Sequence, residues 1–352
     1  MVTRAKILLP GCEAIAEAAI RAGCTHYFGY PGLALRDIHE CMARRLPAEN
    51  GTYVQAENEI AAISMAYGAA CAGARVMTSA SGTGIGQMQE MLSFMAGAEI
   101  PCVVLNVGLS GYSLAGTLPS QADYFQATRG AGQENYRLVA LSPSSVQEAA
   151  DLTLDAFDLA DRHRNPVLVL ADGIISQMME PAALPARRKK ALPEKSWAVG
   201  PREDRKPNLV TSIYLEPSAL EAQVWKLYKK YGNVSTREVR FEEYRCADAS
   251  LILVAGGIVG RVARTAVDKG RKRGMKLGLF RPVSLWPFPA EALAEHSRRA
   301  KALLVVELNT GQMVEDVRLA TQRPDRVHFY GRTGGSIPSS FEILHEALKW
   351  ME

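Results

Sequence analysis

Short, unbroken apolar runs alternate along the first 170 residues with stretches in which apolar positions recur every three or four residues. Residues 12–23 repeat apolar positions at helical spacing and stop at Gly23, which predicts a glycine-terminated helix. A short strand is predicted over 26–29, ending in the turn Tyr30-Pro31-Gly32. A helix over 34–45 and a strand over 52–55 follow. An alanine-rich helix is predicted over 57–72, closed by Gly73. Next come a buried strand over 75–79, a glycine loop over 81–86, a helix to about residue 97 and an apolar strand over 102–107. Strands over 138–141 and 166–170 flank a helix over 144–160. Continuous apolar strands alternating with helices predict a parallel sheet covered on both faces.

The pattern then breaks. Residues 177–210 hold five prolines and two charge runs, Arg187–Lys190 and Arg202–Lys206, which reads as a linker or extended arm. A second alternation begins near Ser250. It predicts strands over 251–255, 276–280, 302–307 and 326–329. Helices are predicted over 258–272, 290–296 and 313–320, with one more at the end of the chain. This reads as a smaller doubly wound domain of about 100 residues. The expected organisation is a domain over 1–180, an arm over 181–247 and a domain over 248–352.

Composition narrows the function classes. The chain has 352 residues, enough for two ordinary domains. A net charge of +4 is too small to point to nucleic acid or an anionic membrane as partner. No aromatic residues interleave the basic run at 187–190, as a nucleic-acid patch would require. No run of about 18 apolar residues could span a bilayer, and the N-terminus does not read as a secretory signal. The six cysteines are scattered without C-x-x-C spacing. They read as reduced core thiols of a cytoplasmic protein, not as ligands to an iron–sulfur cluster or zinc. The six histidines are also dispersed, so no metal is assigned to this chain.

Two motifs carry candidate chemistry. Ser81-Gly82-Thr83-Gly84-Ile85-Gly86 lies between a strand and a helix. Its G-x-G-x-G spacing is not the dinucleotide fingerprint, and it lacks the Gly-Lys-Ser/Thr of a phosphate-binding P-loop. It is either a tight turn that lets helix and strand pack closely or a backbone-lined cofactor loop. Gln55-Ala56-Glu57-Asn58-Glu59 places two carboxylates at a helix start. Acids there favour the helix dipole, and Glu57 needs no further reason. Glu59 lies where the helix turns into the core, and a buried carboxylate is costly unless it has a partner or a task.

The ordered strings GCEAIAEAAIRAG, YFGYPG, QAENEIAAISMAYGAACAGARVMTSASGTGI and PSQADYFQAT resemble the pyrimidine domain of 2-oxoacid:ferredoxin oxidoreductases. RPVSLWPFP, LLVVELNTGQMVEDVRLA and YGRTGG extend the likeness through the second domain. It covers nearly the whole chain and is closest to alpha subunits of the 2-ketoisovalerate branch. The resemblance implies an α/β fold: a thiamine-diphosphate-type pyrimidine-binding domain plus a smaller domain like the transketolase C-terminal one. It implies that Glu59 bonds N1′ of the aminopyrimidine, with Pro31, Gly32, Leu33, Gly82, Thr83 and Gly84 around the cofactor. No Gly-Asp-Gly…Asn segment is present, and Ala171-Asp172-Gly173 is not in that context. The diphosphate half and its Mg²⁺ are therefore expected on a beta subunit. Iron–sulfur clusters are expected on further ferredoxin-like and gamma chains, with coenzyme A and a 2-oxoacid as substrates. This chain alone should be inactive.

Three positions depart from the family pattern. The usual Tyr-Pro-Ile-Thr-Pro reads Tyr30-Pro31-Gly32-Leu33-Ala34, so Leu33 replaces a threonine. The usual arginine after the strand over 102–107 is Leu109, followed by Ser110. A Gly-His-Gly-like stretch reads Gly132-Gln133-Glu134. These four residues, Leu33, Leu109, Ser110 and Gln133, are the expected substrate pocket. A charge-assisted hydrogen bond contributes about 1.5–3 kcal/mol, roughly ten- to a hundredfold in affinity. Losing the hydroxyl, the guanidinium and the imidazole implies an altered substrate, or a carboxylate read by the beta subunit, unless neighbours such as Arg129 or Ser110 compensate. The competing functions are a non-oxidative thiamine lyase or carboligase of split subunits and a non-catalytic paralogue. Retention of Glu59 argues against the last.

Overall fold

The computed structural model describes residues 5–111, 118–188, 194–200 and 208–351. The run Arg202–Lys206, Lys189, Lys190 and Tyr112 lie outside the described residues.

The first part of the chain runs β1 (Ile7–Pro10), α1 (Gly11–Arg21), β2 (His26–Gly29), α2 (Arg36–Ala48), β3 (Thr52–Gln55) and α3 (Glu59–Cys71). It continues β4 (Val76–Ser81), α4 (Thr83–Gln87), α5 (Gln89–Gly97), β5 (Cys102–Gly108), α6 (Tyr124–Arg129) and β6 (Val139–Leu141). It ends with α7 (Val146–His163), β7 (Pro166–Asp172), α8 (Gly173–Gln177) and β8 (Met179–Ala182). Six of these strands pair in parallel in the order β6-β7-β5-β4-β2-β3. All seven residues of β5 and of β7 are buried, which is why both strands read as unbroken apolar runs. β1 and β8 form a separate antiparallel pair.

The remainder runs α9 (Pro217–Arg237), β9 (Phe241–Tyr244), β10 (Leu251–Val254), α10 (Gly257–Arg271), β11 (Leu277–Pro282) and β12 (Ser284–Trp286). Then come α11 (Ala290–Arg299), β13 (Ala302–Glu307), α12 (Met313–Ala320), β14 (Val327–Gly331) and α13 (Ser340–Leu348). The second sheet has the order β14-β13-β10-β11-β9, parallel except for β9. The stretch read as an arm thus contributes a helix of 21 residues and an edge strand. α9 buries only Tyr231 and Val234, although Val224, Leu227, Tyr228 and Tyr231 recur at helical spacing along one face.

The two sheets are tied together. β12 leaves the second sheet and pairs antiparallel with β6, extending the first. Arg281 on β11 donates to Glu148 of α7 at 2.7 Å and to Glu242 of β9 at 2.8 Å. Asp172, at the end of β7, accepts from the Ile175 amide at 3.1 Å and caps α8. Its other oxygen accepts from the Ile258 amide in α10 at 2.7 Å. A Cβ at Gly257 would lie 2.6 Å from that oxygen, so only glycine allows the approach. Burial pushes the Asp172 carboxyl up to about 6, against those backbone hydrogen bonds. Asp172 is a cap and a lock between sheets, with its two oxygens on backbone amides. Among the described residues no His/Cys/Asp/Glu group could hold a metal ion, and no helix is long and apolar enough to cross a membrane.

Candidate functional site

Four adjacent strands, β3-β2-β4-β5, end side by side, and the segments leaving their carboxyl ends form one cleft of about 210 Å³. Residues 30–34 follow β2, Glu59 follows β3, Ser81 ends β4 with Gly82 and Thr83 after it, and Leu109, Ser110 and Gly111 follow β5. Ligands of open parallel sheets bind at this edge. Among the described residues no Lys, Arg or His lines the cleft.

Glu59 is the first residue of α3. Asn58 is extended, and its side chain accepts from the Ala61 amide at 2.8 Å, so the helix starts at Glu59 and leaves Glu57 outside. Glu59 is only 7% exposed, while Ile60 beside it is 54% exposed. The helix therefore enters the core at Ala62, two residues later than its apolar run suggests, and the burial of Glu59 has another source. That source is Gly84: a Cβ there would stand 2.4 Å from Glu59 Oε1 and 2.9 Å from Cδ. Gly82 makes the turn into α4 with φ 51°, a backbone that disfavours side chains. The glycines thus bring the backbone of α4 flat against the carboxylate. Among the described residues Glu59 has no hydrogen-bond or ion-pair partner. It is a buried acceptor whose free face is the cleft it lines.

The other expected residues divide. Pro31, Gly32, Leu33, Gly82 and Thr83 line the cleft with Glu59, and Gly84 packs on the carboxylate. Leu33 is 72% exposed. Leu109 and Ser110 are also at the cleft, but Leu109 belongs to the main core: its Cδ2 would be 3.0 Å from a Cβ on Gly173. Gln133 lines a different cavity, with Tyr136, Tyr228 and Trp286. The Tyr136 hydroxyl donates to Gln89 of α5 at 2.8 Å and accepts from the Ala131 and Gly132 amides, which pins the α6–β6 loop away from the Glu59 cleft.

Sequence reasoning missed the support beneath the turn 30–32. Tyr27 donates to or accepts from Ser79 at 2.6 Å, and its hydroxyl also meets His39 Nε2 at 3.3 Å; His39 Nδ1 meets the Tyr53 hydroxyl at 3.2 Å. Burial pushes His39 down to about 4, against a hydrogen bond to the Tyr30 backbone. A Cβ on Gly29 would lie 2.6 Å from His39 Cε1, so β2 must end in glycine for the imidazole to sit there. The one available signal was a histidine at helical spacing from Leu35 and Met42.

A family model described as pyruvate flavodoxin/ferredoxin oxidoreductase, thiamine-diphosphate-binding, matches residues 17–244. The chain belongs to this oxidoreductase family. A second model, pyruvate:ferredoxin oxidoreductase core domain II, matches residues 249–343. Within the family the chain is 46% identical over 340 residues to the ketoisovalerate oxidoreductase subunit VorB of Methanothermobacter marburgensis, covering 96% of both. It is 36% identical over 335 residues to the 2-oxoglutarate synthase subunit KorA of Archaeoglobus fulgidus, covering 92% of this chain and 94% of that one. In fold it matches a 2-oxoglutarate:ferredoxin oxidoreductase from Magnetococcus marinus with a TM-score of 0.89 and 24% identity, over all of this chain and 66% of that one. A split-gene transketolase matches with a TM-score of 0.61 at 12% identity. The residues fit the family's cofactor. An aminopyrimidine offers a ring nitrogen, and the cleft offers one buried, unpartnered carboxylate held in place by a glycine.

Proposed function

We propose that this chain is the pyrimidine-binding alpha subunit of a thiamine diphosphate-dependent 2-oxoacid:ferredoxin oxidoreductase acting on a branched or otherwise apolar 2-oxoacid. The observation that carries the reading is the Glu59 carboxylate, buried, unpartnered and facing the cleft. Thiamine diphosphate, when bound, supplies a carbon nucleophile for the substrate carbonyl. Glu59 would hold the ring at N1′ and could give and take a proton there, with Gly84 packed against the carboxylate. Pro31, Gly32, Leu33, Gly82 and Thr83, which line the cleft, would surround the ring.

Leu33 and Leu109 stand where the family pattern has threonine and arginine, and no cation lines the cleft among the described residues. That supports an apolar substrate whose carboxylate is read by the beta subunit. The 46%-identical relative named for ketoisovalerate supports the same class. The beta subunit would also hold the diphosphate with Mg²⁺. Iron–sulfur clusters would sit on ferredoxin-like and gamma chains, with coenzyme A as acyl acceptor. In this reading residues 1–180 are the cofactor domain, 181–247 a connecting segment and 248–352 a packing domain. The lyase alternative is not favoured, because the relatives are named as oxidoreductase and synthase subunits.

Glu59→Gln tests the reading. The variant should assemble with its partner subunits and lose about 10²–10⁴-fold in 2-oxoacid-dependent reduction of a one-electron dye with coenzyme A. Wild-type rates in the assembled variant would sink the assignment.

A further inference from the structure

We propose that α9 is a ridge clasped by a partner subunit whose docking face is acidic along one flank and apolar along the other. The proposal rests on the functional reading only in taking the chain to work in a complex.

The helix separates two clefts. One flank carries Lys226, Lys229, Lys230 and Arg237 and faces Arg162 and Arg164 across a groove of about 1030 Å³. Among the described residues only two carboxylates, Glu99 and Glu238, line that groove. Glu99 pairs with Lys226 and Lys230, and Glu238 with Arg162 and His163. Lys229 and Arg237 have no partner among the described residues. The opposite flank carries Val224, Leu227, Tyr228 and Tyr231 over a second cleft of about 780 Å³ that reaches Trp286. Trp225 and Lys229, one turn apart, line both clefts and so form the crest.

The floor under the ridge is built rather than incidental. Glu99 and Arg164 both adopt the left-handed region, at φ 56° and 46°. Neither is glycine, and such strain persists only where the surroundings over-determine it. Gln223 donates to the Gly97 carbonyl at 2.9 Å, and Lys230 to Asn165 at 3.1 Å. Burial first, then Lys226 and Arg164, push Lys230 down to about 8, opposed by Glu99.

What is missing is cover. Trp225 is 55% exposed, Tyr228 67%, and Leu215, just before the helix, 90%. Packing in this chain buries two side chains of a 21-residue helix, too few to account for the order of so long an element. Exposed tryptophan and tyrosine are the residues that anchor protein interfaces, and a lysine flank suits the charged rim around them. The helix is roughly 30 Å long, and its groove-facing cations run from Lys226 to Arg237, roughly 17 Å and wider than a single phosphate. An acidic protein face fits that spread, and its charge would steer the encounter.

The ridge is not the cofactor cleft. It packs on residues that precede β5 and β7, at the amino edge of the sheet, whereas Glu59 lies at the carboxyl edge. A seven-residue strand separates the two edges by roughly 20 Å.

The test is to co-express the chain with the other subunits of its complex and measure assembly directly, by native mass spectrometry and sedimentation. Assembly is read without turnover, so it does not depend on the role of Glu59. Lys229→Glu with Arg237→Glu, and separately Tyr228→Asp, should weaken the partner's binding about tenfold or more. Melting of the free chain should be unchanged. Wild-type affinity should fall steeply as salt is raised, and α9 amides should exchange hydrogen more slowly in the complex than in the free chain. Wild-type affinity in both variants, or equal exchange in free and assembled chain, would overturn the proposal. So would a wild-type homodimer that these variants dissociate, or saturable binding of inorganic pyrophosphate that they abolish.

Discussion

Adding one methyl group at Gly84 should disable the cleft and leave the fold intact. The new Cβ of Gly84→Ala would lie 2.4 Å from Glu59 Oε1, 2.9 Å from Cδ and 3.0 Å from Cγ, where ordinary contact begins at 3.4 Å. The carboxylate must therefore retreat by about 1 Å. The obstacle is the end of a flexible side chain, so Glu59 gives way and the backbone does not. An off-rotamer side chain costs about 0.5–1.5 kcal/mol. Gly84 lies in α4 without left-handed backbone, and alanine is favoured over glycine in a helix by about 0.5–1 kcal/mol. The two terms cancel to within about 1 kcal/mol, so the melting temperature should move by only a few degrees. Catalysis has no such compensation, because a reacting group misplaced by about 1 Å loses about a hundredfold. The assay is kcat/KM of the assembled enzyme with a one-electron dye, beside a thermal melt of the same sample. Gly86→Ala is the control: it lies in the same helix, and its Cβ meets only Gln126 Nε2 at 3.7 Å. A hundredfold loss confined to Gly84→Ala is expected. Wild-type activity in that variant, or an equal loss in Gly86→Ala, would refute the role given to the contact.

Two further outcomes are expected. Leu33 is 72% exposed, so Leu33→Thr should leave stability within about 0.5 kcal/mol; the restored hydroxyl should raise kcat/KM for smaller, more polar 2-oxoacids by about tenfold or more, and an unchanged substrate profile would show that Leu33 does not meet the substrate. Asp172 titrates near 6 in the folded chain against an ordinary 3.8, so between pH 4 and 6 the folded state holds a proton that the unfolded state has released. Its contribution to stability is therefore fullest below pH 4 and is lost as pH rises through 6, by on the order of 3 kcal/mol. Denaturant unfolding of wild type and Asp172→Asn should show wild type gaining on the variant as pH falls from 7 to 4, and a constant difference would contradict the burial argument.

The first sheet was legible because its strands are buried on both faces. The apolar run at 102–107 became β5, Cys102–Gly108, with every residue buried. What stayed hidden was held by something other than local pattern. β9 reads Phe-Glu-Glu-Tyr and joins the second sheet through backbone pairing with β11, with Glu242 held by Arg264 and Arg281 and Glu243 by His296. β12 is three residues long and pairs with β6, more than 140 positions earlier. No periodicity within a segment can report a partner so far away. Gln133 lies in another cavity for the converse reason. A place in a motif fixes a residue along the chain, while Tyr136 fixed the loop in space.

Glu59 and the glycines were each visible, but as separate motifs 25 positions apart. Their meaning lies in the contact between them, which explains a burial that the helix pattern alone assigned to the wrong neighbours. The same geometry ranks the two substituted positions. Leu109 replaces a cation and has joined the core, packed on Gly173 and bridged to Pro119. Restoring arginine there would require a charge where apolar side chains now meet, or the eviction of Leu109 from the core. Leu33 stands at the rim in solvent and has joined nothing. The loss of the guanidinium is thus fixed by packing, whereas the loss of the hydroxyl can be reversed by one exposed side chain, and substrate preference should be most easily retuned at residue 33.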